Sequence, residues 1–81
     1  MDYKLATKEL TIMLLYLTSW TETEFREVQR SWKGYDFDIL NKLTDEGLIS
    51  DSKRSKSVYL FEEGVSTAKE LLKKYGLDAL E

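Results

Sequence analysis

Cysteine, histidine and proline are all missing from the 81-residue sequence. The first two absences exclude chemistry. Without Cys or His there is no disulfide, no thiol nucleophile, no imidazole base, no His-ligated haem and no structural zinc site of the usual kind. A Ser-His-Asp triad is equally impossible. Carboxylates, Lys, Tyr and Ser remain, and in so short a chain they would share one shallow cleft with the residues that build the core. The expectation is a protein that is not an enzyme, with no metal and no cofactor implied.

Long apolar runs are missing too. The longest, Ile12 to Leu17, is flanked by Thr11, Thr18 and Ser19, far short of the roughly 20 residues a bilayer requires. Met1-Asp2-Tyr3-Lys4 shows no secretory pattern, so the expected compartment is the cytoplasm, with no membrane partner. Hydrophobic residues make up 42% and charged residues 33%, with 12 Lys plus Arg against 15 Asp plus Glu. That balance describes one folded domain spanning residues 1–81, with a formal charge of −3.

Helical spacing opens the chain. From Tyr3 to Leu17, Leu10, Met13, Leu14 and Leu17 form one apolar face, while Ile12, Leu15 and Tyr16 fill most of the rest. A helix apolar nearly all round is either the central one or a dimer seam. A second helix is expected from Thr21, with Glu24 completing a capping box, Phe25, Val28 and Trp32 as its stripe, and Lys33-Gly34 as its end. Asp36 is placed to cap a third helix with Phe37, Leu40 and Leu43 inward and Gly47 as its stop. Leu48-Ile49-Ser50 and Ser57 to Phe61 then read as a β-hairpin around the polar segment from Asp51 to Lys56. A last helix runs from Glu62 to Tyr75, with Val65, Ala68, Leu71, Leu72 and Tyr75 inward, and Gly76-Leu77 ends it.

The joint between the third helix and the hairpin, Leu40-Asn41-Lys42-Leu43-Thr44-Asp45-Glu46-Gly47-Leu48-Ile49, is followed after the hairpin by Leu60-Phe61-Glu62-Glu63-Gly64. This resembles the helix-to-wing pattern of winged-helix proteins of the MarR and PadR type, over Asp36 to about Tyr75. The resemblance implies an α+β, mainly α fold: a winged helix-turn-helix of three helices, a β-hairpin wing and a C-terminal helix. A resemblance over nearly the whole chain is to short bacterial proteins classed as a domain of unknown function. It rests on Leu14 to Thr18, Trp32 to Asp38, Gly47 to Asp51 and Lys53 to Val58. Phe61 stands where such proteins usually carry a capping Thr, so the last helix needs another cap.

The winged-helix resemblance implies double-stranded DNA as a partner, with the third helix in the groove and the wing tip on phosphate. Lys53, Arg54 and Lys56 supply the tip, Tyr35, Asp38, Asn41 and Lys42 face the groove, and Arg26, Arg30 and Lys33 lie where a backbone would pass. Charge argues against it. From Thr21 to Glu46, seven acids outnumber the four bases Arg26, Arg30, Lys33 and Lys42, and an acidic face lacks the phosphate term that supplies non-specific affinity. A solvated loop explains the basic tip equally well. Trp32, Tyr35 and Phe37 invite reading as a base-stacking platform, but their spacing fits core filling better, with Tyr35 the most exposed. A homodimer is expected on either reading, with Ile12, Leu15, Tyr16, Leu77 and Leu80 as its interface; the competing class is a dimerisation or docking module on the same scaffold that binds no nucleic acid.

Overall fold

The computed structural model describes residues 2–22, 28–52 and 54–80. The fold is α+β: α1 (Tyr3–Leu17), β1 (Trp20–Glu22), β2 (Val28–Trp32), α2 (Phe37–Asp45), β3 (Ile49–Asp51), β4 (Ser57–Leu60), α3 (Glu62–Lys74) and a short 3-10 turn (Leu77–Leu80). The strands form one antiparallel sheet in the order β1-β2-β4-β3.

Local chemistry sets most of these boundaries. Asp2 starts α1 by accepting from the amides of Lys4 and Leu5 at 3.0 and 3.2 Å, offsetting two of the donors that a helix start leaves free. Asp36 does the same for α2 through Asp38 and Ile39 at 2.8 and 3.3 Å. Gly47 and Gly76 follow α2 and α3 at φ 76° and 74°, in the left-handed region that glycine occupies at low cost. Phe61 precedes α3 with no side-chain cap. Glu62 and Glu63 occupy the first turn of that helix, where its dipole favours negative charge.

The segment expected as a second helix is instead the β1–β2 hairpin, so helix-turn-helix geometry does not precede α2 among the described residues. The capping-box signal at Thr21 was purely local. Residues 28–32 gain a cross-strand partner on each side, pairing with β1 through Arg30 opposite Trp20 and with β4 from Gln29 opposite Leu60 to Trp32 opposite Ser57. Tertiary pairing of this kind overrides a modest helix propensity, and Val, Trp and Thr suit a pleated surface. Glu24, Phe25 and Arg26 lie outside the described residues.

The core lies between the helices and one face of the sheet. Ile12 and Leu15 of α1, Ile39, Leu40 and Leu43 of α2, Ile49, Val58 and Leu60 of the sheet, and Ala68, Leu71 and Leu72 of α3 are buried together. Ser31 faces inward as well, fully buried, and its hydroxyl meets that of Thr18 at 3.1 Å. The inward set of α1 is thus Thr11, Ile12, Met13 and Leu15. Leu10, Leu14 and Leu17 point to solvent, which reverses the expected faces of that helix. Trp32 and Phe37, expected in the core, are 65 and 75% exposed, and Tyr75, expected inward, is half exposed at the end of α3 with its hydroxyl donating to Glu9, whereas Tyr35 packs against the core.

Candidate functional site

The expected dimer interface does not stand as drawn. Ile12 and Leu15 are core residues, covered within the domain and not available to a partner, and Tyr16 is partly buried against the core. Leu77 is exposed. Leu80 falls in the closing 3-10 turn.

Around α2 the expected DNA-facing residues are dispersed. Asp38, Asn41 and Lys42 are exposed on one side of the helix. With Lys4, Thr7, Asp36 and Ile39 they line an open depression of about 460 Å³. Asp45 and Glu46 continue the acidic character, Glu46 holding Lys8 at 2.8 Å. Tyr35 is turned partly inward, away from the place the resemblance gave it.

The basic residues separate into engaged and exposed groups. Lys33 is paired with Asp51 at 2.5 Å and donates to the Ser52 carbonyl at 2.7 Å. Arg30 donates to the Ser57 hydroxyl through Nη2 at 2.6 Å and Nε at 3.1 Å, and reaches Ser55 at 3.3 Å. Its guanidinium lies 4.3 Å from the centre of the Tyr59 ring. Arg54 and Lys56 are exposed on the β3–β4 turn. Lys53 and Arg26 lie outside the described residues. Of the eight described residues among them, Asp38, Asn41 and Lys42 lie together on α2, Tyr35 packs toward the core, Arg30 and Lys33 are engaged at β2 and its end, and Arg54 and Lys56 lie on the β3–β4 turn.

Two surfaces come into view beyond those expected. One is the outer stripe of α1: Tyr3, Leu10, Leu14 and Leu17 are 44 to 77% exposed, with Thr7 between them. Their spacing of seven, four and three keeps them on one side of a helix. The other is the outer sheet face. Strand residues alternate between faces, and register aligns Trp20, Arg30, Tyr59 and Ser50 in one row across all four strands. Trp32 neighbours that row, its ring centre 4.9 Å from that of Trp20 in a tilted pair. The alternation Val28-x-Arg30-x-Trp32 carried this signal.

Among the described residues, no three acidic side chains gather as a metal site, and no helix is long and apolar enough to cross a membrane. Together these features define a small α+β domain with three helices on one face of an antiparallel sheet. A family model described as "Domain of unknown function (DUF6429)" matches residues 4–78, and the chain belongs to that family. No curated protein and no solved structure matches the sequence.

Proposed function

We propose that this domain is a self-associating interaction module built on a winged-helix-related scaffold. Its kinship with winged helices rests on α2, the β3–β4 hairpin and α3, which follow one another as the helix-to-wing joint requires. The β1–β2 hairpin takes the place of the helix that would precede the reading helix.

The observation that carries the functional reading is the exposed stripe on α1. Tyr3, Thr7, Leu10, Leu14 and Leu17 form an uncharged seam turned away from Ile12 and Leu15. Leaving such a surface in water is unfavourable by about 25 cal/mol for each Å² of apolar area. A second copy suits it because the seam is nearly symmetric about Leu10, with Tyr3 and Leu17 each seven positions away. An antiparallel arrangement would set Leu10 against Leu10 and Tyr3 of one copy beside Leu17 of the other, a closed two-fold contact. A helix of this length offers roughly 22 Å of seam, which fits micromolar rather than nanomolar association.

Sedimentation across a concentration series tests this. The expected result is a reversible monomer–dimer equilibrium, abolished by Leu10→Glu with Leu14→Glu while the far-ultraviolet circular dichroism stays unchanged. A wild-type chain that remains monomeric at about 100 μM, or a double variant that still dimerises, overturns the reading. Duplex DNA binding through the hairpin turn is the second reading, supported by the exposed Arg54 and Lys56. It draws less support, because Arg30 and Lys33 are engaged within the fold and α2 presents Asp38 and Asp45 beside Lys42.

A further inference from the structure

The outer face of the sheet combines three aromatic rings with cations. Trp20 and Trp32 meet on it, Tyr59 lies one strand further, and Arg30 is laid across Tyr59 by the cross-strand register. Ser57 and Ser55 fix the guanidinium from below and beside, so this part of the surface is ordered before any ligand arrives. By register the outward strand positions 20, 22, 28, 30, 32, 50, 57 and 59 carry Trp, Glu, Val, Arg, Trp, Ser, Ser and Tyr, so the one carboxylate position among them is 22, at the outer end of β1. The chain as a whole has a charge of −3, whereas this face together with Arg54 and Lys56 of the adjoining turn carries three bases, Arg30 included, against the single acid Glu22. Arg54 and Lys56 extend the positive character beyond Trp32, on the turn that leads into Ser57.

We propose that this face binds single-stranded nucleic acid, with unpaired bases stacking on Trp32 and Tyr59 and the phosphates drawn to Arg54 and Lys56. Ligand and surface match by complementarity. A polyanion satisfies the charge, and flat π faces satisfy the exposed rings, a combination characteristic of single-strand binding surfaces. A duplex offers the phosphates but keeps its bases stacked on each other. An acidic peptide offers the charge without the flat faces. The surface is separate from the outer stripe of α1, since the helices occupy the opposite face of the sheet, and binding here does not depend on self-association.

Both tryptophans of the chain lie on this face, so intrinsic fluorescence reports on it directly. Titration with a deoxythymidine oligomer of about ten nucleotides should quench the emission, with an affinity that falls as salt is raised. Trp32→Ala should weaken binding of the labelled oligomer by about tenfold, as expected for one lost stacking partner. Trp32 is largely exposed, and circular dichroism checks that the variant folds. Arg54→Glu with Lys56→Glu should weaken binding further and flatten the salt dependence. Absence of binding at low salt and about 100 μM protein would overturn the proposal. So would equal affinity for a duplex of the same length or for polyglutamate, or an unchanged affinity in Trp32→Ala. A shift of Trp emission with protein concentration alone, with no response to the oligomer, would assign the face to a second copy instead.

Discussion

Gly64 sits so close to Leu48 that a Cβ at position 64 would overlap the Leu48 carbonyl oxygen. That carbonyl is also the acceptor for the Phe61 amide at 3.0 Å, so it cannot swing away without breaking the link between β3 and the start of α3. Helix propensity alone favours alanine over glycine by about 1 kcal/mol. Overpacking against backbone opposes it and is larger. Gly64→Ala is expected to destabilise the domain by about 2 to 3 kcal/mol, read as a lower urea midpoint; an unchanged or higher midpoint would contradict the close approach.

The two faces of α1 give a paired prediction. Ile12 is buried in the core whereas Leu14, two residues on, is 44% exposed. Ile12→Ala should cost about 2 to 4 kcal/mol through lost burial and the cavity left behind. Leu14→Ala should cost less than about 1 kcal/mol in the dilute monomer, since little of its contact is internal. Chemical denaturation at low protein concentration separates the two, and equal costs would refute the orientation of the helix.

This pair also marks where the sequence was legible and where it was not. The ends of α1, the Asp36 cap, Gly47, the β3–β4 hairpin and Gly76 were all readable, because each is decided by residues within a few positions of one another. What periodicity could not decide was which side of an all-round apolar helix turns inward, since Leu10-Met13-Leu14-Leu17 and Ile12-Leu15-Tyr16 are equally apolar. The choice comes from α2, α3 and β2. Residues 28–32 are not legible locally for a related reason: one of their strand partners, β4, begins at Ser57, 25 positions after Trp32. The resemblance to the helix-to-wing joint located α2 and the hairpin but carried an expectation about the preceding helix that this chain does not meet. Trp32 and Tyr59 became one surface only once that pairing was known.

Asp36 caps α2 with its side chain, accepting from the amides of Asp38 and Ile39. α2 has nine residues, short enough that one missing cap is felt across the helix. Asp36→Ala should lower stability by about 1 kcal/mol, while Asp36→Asn, which keeps a side-chain oxygen, should recover most of it. Equilibrium unfolding of the two variants side by side is the measurement; equal losses would mean that the carboxylate acts by charge and not as a cap.

Lys33 and Asp51 join the end of β2 to the end of β3 across β4, with side chains 12 and 16% exposed. Ions so little hydrated are costly to strand singly, because the survivor keeps its desolvation penalty without its partner. The Lys33 ammonium also donates to the Ser52 carbonyl, so removing the lysine loses two contacts and removing the aspartate only one. Lys33→Met is therefore expected to be the more damaging single change, by about 2 to 3 kcal/mol, with Asp51→Leu somewhat less. Combining the two replaces a paired charge by apolar side chains and should cost less than the sum of the separate changes, a coupling of about 1 to 2 kcal/mol in a double-mutant cycle. The same pair sets the chemistry of the hairpin turn: with Lys33 committed to Asp51, the cations exposed there among the described residues are those further out, Arg54 and Lys56. If the cycle closes with no coupling energy, Lys33 is free in solution to meet phosphate, and the acidic face of α2 becomes the main remaining argument against duplex binding.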